Sequence, residues 1–286
     1  MRSLALTAPT LTLALACAAP VLAADPPHTP EYAPVAGTSP SNSAPGAPVA
    51  PDWAYPDSPS HHQVGPPPGF HRPPRIVAQP IGVFDGQADV GAALVPGHAS
   101  LDGGKYTIIS AGYNVWYTRD EFRYLYKQMS GDVSLAADID YPNAGGFGDR
   151  KAVLVIRQSL DDDAPEALVA LHGGGMVHLA WRPAKGARIA DMEYRIGSRG
   201  GLPGGSSPDS LVTLSPKRIG IEKHGDQYSL WISEQGEPMH QYGAPITLHL
   251  SGPVYAGIGF VSHLPTTVDT AVLSNVVLAP EAGKVR

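Results

Sequence analysis

Residues 113–142 read YNVWYTRDEFRYLYKQMSGDVSLAADIDYP, and residues 151–182 read KAVLVIRQSLDDDAPEALVALHGGGMVHLAWR. Phe122, Tyr124 and Tyr126 occupy alternate positions, so their side chains point to one face of a strand. Residues 152–156 form a continuous apolar run, which is typical of a strand buried on both faces. Neither stretch has a helical period, and the pattern predicts antiparallel strands joined by turns.

The same pattern of short strands extends outward from this centre, from about residue 81 to residue 279. Further strands are predicted near residues 91–95, 99–101, 105–110, 114–117, 218–224, 227–233, 245–250, 255–262 and 270–278. A spacing of roughly 8–12 residues between such strands is typical of a β-sandwich or jelly roll. Residues 81–279 are therefore predicted to form one all-β domain, followed by a short tail at 280–286.

The N-terminal region has a different composition. Arg2 precedes an apolar segment and small-residue cleavage sites, which predicts a signal peptide over residues 1–24 and an exported protein, periplasmic or secreted. Cys17 lies in this segment; anchoring as a lipoprotein through it is a second, less favoured interpretation because the lipobox match is poor. Residues 25–80 are rich in Pro, Ala and Ser without apolar periodicity, and predict a disordered linker.

Composition excludes some classes of function. The formal net charge of the chain is -6 at pH 7, so no basic surplus is available to neutralise phosphates, and nucleic acid is not expected as a partner. No later segment is apolar enough to predict a membrane span. Cys17 is the one cysteine of the sequence, so the chain cannot form an internal disulfide.

Two groups of acidic residues are candidates for a catalytic or metal-binding role. Asp138 and Asp140 share one face of a predicted strand, but no third carboxylate follows in the pattern that catalytic glucanases use, and solvated carboxylates are favoured. Asp161, Asp162 and Asp163 could help to hold Ca²⁺, yet no calcium-binding loop pattern follows, and a solvated turn is favoured. No cofactor is predicted.

The HGGG sequence at 172–175 resembles an esterase oxyanion loop, but the chain has no G-x-S-x-G nucleophile motif. A glycine-rich hairpin turn is therefore favoured. His172 and His178 flank this turn symmetrically and are expected to be neighbours across the hairpin. A metal pair is one interpretation, and ordinary surface or hydrogen-bonded histidines are the favoured one, because a metal site needs a third ligand.

Several short motifs, in order, resemble a known family. They are ADVG at 88–91, GYNVW at 112–116, DEFRYLY at 120–126, IGIEKHGD at 219–226, LWIS at 230–233, YAGIGFVSH at 255–263 and AVLSNV at 271–276. Together they resemble exported concanavalin A-like lectin/glucanase jelly-roll modules. The resemblance implies an antiparallel two-sheet jelly-roll sandwich with a concave face that often binds glycans.

Aromatic faces and polar groups that form two hydrogen bonds at once suit sugar rings and their hydroxyls. Residues of these types on neighbouring predicted strands are the candidate ligand-binding set: Trp116, Tyr124, Tyr126, Arg157, His172, His178, Trp181 and Arg182. Core packing is the competing interpretation of the aromatic members. Arg157 ends the apolar run, so its burial would require a carboxylate partner or a ligand.

Three functions remain open from the sequence. The favoured one is a non-catalytic exported module that binds a carbohydrate or a cell-envelope polymer through the concave face. The second is a glycan-cleaving enzyme that uses Asp138 or Asp140 with Glu166 as an atypical acid pair. The third is a periplasmic structural or protein-interaction module. The absence of the acidic cluster favours binding over cleavage.

Overall fold

The structure is a computed structural model that describes residues 71–194 and 216–285. In these ranges the chain forms strands and turns without a helix, and every strand pairing is antiparallel. The predicted all-β, two-sheet sandwich is therefore confirmed. The predicted signal peptide, Cys17, residues 25–70 of the predicted linker and a Gly/Ser-rich stretch at 195–208 lie outside the described residues.

One sheet has eight strands. In spatial order they are β1 (Arg75–Val77), β2 (Gly86–Val90), β7 (Phe122–Met129), β16 (Val254–Val261), β9 (Lys151–Arg157), β10 (Glu166–His172), β11 (Val177–Arg182) and β12 (Ala190–Tyr194). All residues of β9 and β10 are buried, because these strands lie inside the sheet and both of its faces are covered. This confirms the interpretation of the apolar run at 152–156.

The second sheet has seven strands. In spatial order they are β15 (His240–Thr247), β14 (Gln227–Ser233), β13 (Arg218–His224), β8 (Val133–Asp140), β17 (Asp269–Ala279), β4 (Lys105–Ser110) and β3 (His98–Asp102). A separate two-stranded ribbon consists of β5 (Val115–Trp116) and β6 (Arg119–Asp120).

The main core lies between the two large sheets. Leu154 and Ile156 of β9 and Val169 of β10 face it from one side, and Leu135 of β8 and Ile221 of β13 face it from the other; all five are fully buried. Burial of a large aliphatic side chain contributes ~1.5–3 kcal/mol, so this layer is the main source of stability. Strand alternation then sends the intervening residues to the outer face of each sheet.

The HGGG sequence is a hairpin turn, as predicted. Leu171 of β10 pairs with Val177 of β11, and the glycines connect the two strands. The hairpin at His224–Gln227 is also present, with these two residues paired at the ends of β13 and β14.

The predicted strand at 91–95 is wrong, because the strand is β2, five residues earlier. It ends where Gly91 and Ala92 take the left-handed conformation, with φ of 66° and 43°. A Cβ at Gly91 would collide with the carbonyl oxygen of Asp120, so the close approach of these segments also requires glycine. The sandwich begins earlier than the predicted boundary at residue 81, since β1 pairs with β2.

Candidate functional site

The outer face of the eight-stranded sheet is covered by a second small core. Residues 111–121, here called the covering segment, contain the β5–β6 ribbon and contribute Val115 to the same buried apolar cluster as Val153 and Leu168 of the sheet. Backbone hydrogen bonds hold this segment down: Ile189 N–H donates to the carbonyl of Tyr117 at 2.8 Å, and Asp120 N–H donates to the carbonyl of Asp162 at 2.6 Å. The covering segment divides the outer face into a closed end and an open end.

The closed end holds four fully buried charged side chains, here called the ion cluster: Asp120, Arg157, Glu166 and Arg182. Arg182 binds Asp120 through two hydrogen bonds of 2.6 and 2.9 Å and also donates to Glu166 at 3.0 Å. Arg157 donates to Asp120 at 3.1 Å, and its Nε lies 3.6 Å from Glu166. Arg157 therefore has the carboxylate partner that its burial requires.

The ion cluster joins three parts of the chain: Asp120 in the covering segment, Arg157 and Glu166 in neighbouring strands, and Arg182 at the end of β11. Burial and the charge of Asp120 raise the pKa of the Glu166 carboxyl to about 8. A group whose pKa is raised by folding stabilises the folded state fully below its unfolded pKa and loses this contribution as the pH rises through the folded value.

A Glu166→Gln variant is expected to remove this pH dependence, because glutamine is neutral like the protonated acid. Between pH 4.5 and 8 the wild type should lose free energy of unfolding relative to Glu166→Gln, on the order of 1.4 kcal/mol for every unit by which the pKa is raised. Urea unfolding of both proteins across this range measures the difference. Parallel stability curves would contradict a raised pKa of Glu166.

The open end of the same face is a pocket of about 210 Å³, here called the polar pocket. Its lining residues come from the covering segment, strands β9 to β12 and three loops: Asn114, Trp116, Tyr117, Asp149, Lys151, His172, Met176, His178, Glu193 and His263. Strand alternation places Lys151, His172 and His178 here, because they share the outer face with Val153, Ala170 and Ala180.

Two polar contacts shape the floor of the polar pocket. The Nζ of Lys151 donates a 2.5 Å hydrogen bond to Oδ1 of Asn114. Nε2 of His172 lies 3.3 Å from Nδ1 of His178, so the two histidines are neighbours as predicted. The indole of Trp116 is partly exposed and lies with its ring centre 5.3 Å from that of His178. The pocket therefore combines an aromatic surface with donors and acceptors.

Burial determines the charge of these groups. It lowers the pKa of the Lys151 ammonium to about 8, with the carboxylates of Asp149 and Glu193 acting in the opposite direction. Burial is the main cause that holds the pKa of His178 well below its ordinary value, so its imidazole is neutral at pH 7. Contact with His172 lowers the pKa of Asp149, which is ionised.

The structure divides the candidate ligand-binding set among four places. Trp116, His172 and His178 line the polar pocket. Arg157 and Arg182 belong to the ion cluster, and Tyr124 is fully buried, with its hydroxyl oxygen 3.0 Å from the carbonyl oxygens of both Val155 and Tyr255, which share its one proton.

The other two members lie elsewhere. Tyr126 is buried beside Tyr255, with ring centres 5.3 Å apart. Trp181 faces the opposite way and packs against the core between the sheets, because it alternates with Arg182. The binding role of the whole set stays a prediction.

Sequence reasoning missed Asn114, Asp149, Lys151, Glu193 and His263 as pocket residues. One signal was present for Lys151, which lies two, four and six positions before Val153, Val155 and Arg157 and therefore on the same face of β9. The others are contributed by loops, the covering segment and β12. Their proximity depends on contacts between segments far apart in sequence, which no local pattern reports.

The acid pair proposed for cleavage is contradicted by the fold. Asp138 and Asp140 lie on the outer face of the seven-stranded sheet, whereas Glu166 is buried on the outer face of the other sheet. The whole sandwich separates them, so Glu166 cannot act on one substrate together with either aspartate.

A larger groove of about 710 Å³ lies beside Asp138, but the carboxylate of Asp138 is already bound within the protein. Arg218 donates to Asp138 at 2.7 Å and Asn275 donates to the second oxygen at 2.6 Å. The polar pocket is the stronger candidate because a buried ring nitrogen there, Nε2 of His178, has no hydrogen-bond partner among the described residues.

The prediction of a solvated turn at Asp161–Asp163 is wrong for two of the three residues. Asp162 and Asp163 are buried, with the carboxylate of Asp162 accepting from Nδ1 of His71 at 2.9 Å and from the backbone N–H of Arg72 at 3.0 Å. In the part of the chain that the structure describes, His71, Asp162 and Asp163 are the group whose ligand atoms lie within 4.8 Å of one another. Hydrogen bonds and Lys185 already satisfy these oxygens.

Solved structures that resemble the chain have low sequence identity to it. A carbohydrate-binding module from Bacillus subtilis has a TM-score of 0.42 at 15% identity, covering 70% of this chain and 99% of that chain. An alginate lyase from Klebsiella pneumoniae has a TM-score of 0.42 at 13% identity, covering 66% and 85%. Lectin I-B4 from Griffonia simplicifolia has a TM-score of 0.41 at 9% identity, covering 64% and 90%.

Lectins and carbohydrate-binding modules are among the solved structures to which this chain is similar. No protein-family model and no curated protein matches the chain. Within residues 71–194 and 216–285 no helix has the length and apolar character needed to cross a membrane.

Proposed function

We propose that this protein is an exported glycan-binding module, and that the polar pocket is its sugar-binding site. The observation that carries the proposal is the position of Trp116, whose partly exposed indole lies against His178 beside Asn114 and Lys151. An aromatic face packs on the C–H surface of a sugar ring, and polar side chains at its edge pair with hydroxyls.

The size of the polar pocket indicates how much ligand it holds. At about 210 Å³ it is smaller than the pockets that enclose drug-sized molecules, and one sugar residue is a suitable occupant. The covering segment closes the rest of the outer face through Val115 and the ion cluster. The proposed site is therefore a pocket for one residue of a glycan.

Export is proposed from residues 1–24 and their signal-peptide pattern. A cell-envelope polymer is one source of ligand, and a free polysaccharide is another. Cell fractionation with N-terminal sequencing of the mature protein tests this part. A full-length N-terminus found in the cytoplasmic fraction would overturn it.

A glycan array of the full chain tests the proposed site, with Trp116→Ala as the decisive variant. Removing a central tryptophan of an interface costs about 2 kcal/mol or more, so ligand affinity is expected to fall by at least ~30-fold. Trp181→Phe is the matched control, because Trp181 packs in the inter-sheet core and should leave affinity unchanged.

Two results would contradict the proposal. Retention of full affinity by Trp116→Ala would place the site elsewhere on the molecule. Failure of the wild-type chain to bind any glycan would remove the function and favour a protein-interaction module, for which capture of a protein partner would be the next measurement.

A further inference from the structure

A line of three side chains runs from the rim of the polar pocket to its floor. The carboxylate of Asp149, which is exposed, lies 3.6 Å from Nδ1 of His172. Nε2 of His172 then lies 3.3 Å from Nδ1 of His178. Both histidines are buried, and His178 is 1% exposed. The line ends at Nε2 of His178, which has no hydrogen-bond partner among the described residues.

This order of groups selects one tautomer for each histidine. An ionised carboxylate only accepts hydrogen bonds, so Asp149 favours a proton on Nδ1 of His172. Nε2 of a neutral His172 then carries a lone pair and accepts from Nδ1–H of His178. Nε2 of His178 is left unprotonated, and it is a buried acceptor that no described residue satisfies.

Lys151 adds a hydrogen-bond donor to the floor of the polar pocket, and its charge disfavours a doubly protonated His172 or His178. Its ammonium has three N–H donors, one of which binds Asn114. A second positive charge, which a doubly protonated His172 or His178 would supply, is opposed by repulsion from this buried cation. A hydroxyl group can donate one hydrogen bond and accept another, so it suits a floor with both an acceptor and a donor.

The rim of the polar pocket carries negative charge, opposite in sign to the ammonium of Lys151 on its floor. Asp149 and Glu193 are both exposed carboxylates, and they outnumber Lys151 among the charged lining residues when the histidines are neutral. An anionic ligand would lie beside these carboxylates and be repelled.

We infer that the polar pocket selects an uncharged sugar residue, one hydroxyl of which donates to Nε2 of His178 and accepts from Nζ of Lys151. Asp149 and His172 are positioning residues that hold the acceptor tautomer of His178. Asp149 and Glu193 discriminate against sugars that carry a carboxylate. This inference rests on the proposed glycan-binding function.

The first test reads the tautomer directly and needs no ligand. Two-dimensional ¹⁵N–¹H NMR of the imidazoles in the full chain is expected to show His178 with a proton on Nδ1 and none on Nε2. The resonance is assigned by its loss in His178→Gln. Asp149→Ala should raise the population of the other tautomer of His178. A wild-type His178 that is protonated on Nε2 would overturn the inferred hydrogen-bond order from Asp149 through His172 to His178.

The second test compares ligands that differ in one group. Oligosaccharides with a primary alcohol at C6 are expected to bind about tenfold or more tightly than the same oligosaccharides oxidised to the C6 carboxylate. Glu193→Gln should narrow this ratio of affinities, and Glu234→Gln, a half-buried acid in the bend after β14 of the other sheet, should not change it.

The outcomes separate the two proposals. Equal or tighter binding of the carboxylated oligosaccharides would overturn the inferred selectivity and leave glycan binding intact. Absence of binding to every oligosaccharide of both series would defeat the proposed function, and with it the assigned ligand class.

Discussion

Replacing Asp120 with alanine is expected to lower the free energy of unfolding by about 3–5 kcal/mol, the cost of leaving a buried charge without its partner. Asp120 is fully buried and accepts from both guanidiniums of the ion cluster, Arg157 and Arg182. Without it Glu166 can ionise and offset one of these charges, but the second remains buried and uncompensated. Urea unfolding of the variant and the wild type at pH 7 measures the difference.

The matched control is Asp138→Ala in the other sheet. Asp138 also binds an arginine, Arg218, at 2.7 Å, but its side chain is 34% exposed. Exposed ion pairs contribute ~0–1 kcal/mol, so this variant should unfold close to the wild type. Equal losses in the two variants would show that the ion cluster does not hold the covering segment to the sheet.

Gly257→Ala is expected to cost about 3 kcal/mol, at the upper end of the range for overpacked positions. Gly257 lies in the middle of β16, where it pairs with Tyr126 of β7. An added Cβ would collide with the carbonyl oxygen of Leu125 and lie 2.9 Å from its carbonyl carbon. These are backbone atoms, so the two central strands would have to separate and weaken their hydrogen bonds.

Gly148→Ala provides the comparison for this variant. A Cβ at Gly148 has no neighbouring atom within 4 Å, and the substitution should change the free energy of unfolding by less than ~1 kcal/mol. A Gly257→Ala protein as stable as Gly148→Ala would mean that β16 can move away from β7 without loss.

The strand pattern around residues 113–182 predicted most of the fold because a strand has a period of two that is visible in sequence. Lys151–Arg157 and Glu166–His172 are strands at the predicted places, and Glu166–His172 leads into the HGGG hairpin as expected. The strand at 91–95 was misplaced because Gly91 permits a left-handed turn that apolar pattern alone does not reveal.

The candidate site was only partly visible in sequence. His172 and His178 were expected to meet because one hairpin brings them together, and they do. Trp181 was predicted to bind ligand together with Arg182, although strand alternation sends two adjacent residues to opposite faces of the sheet. Asn114 and Lys151 meet through a contact that spans the covering segment and β9, and such a contact has no local signature.

The amino-acid pattern was sufficient to predict an antiparallel sandwich, its hairpins and the residues that each strand presents to either side, because side-chain alternation and turn chemistry are local properties. The pairing of polar residues, and which of them are open to a ligand, depends on contacts between distant segments of the folded chain. Asp120 and Arg182 are 62 residues apart and neutralise each other, whereas Asp149, His172 and His178 form a line that ends in a pocket. The difference arises because the covering segment folds over one end of the sheet and leaves the other end open.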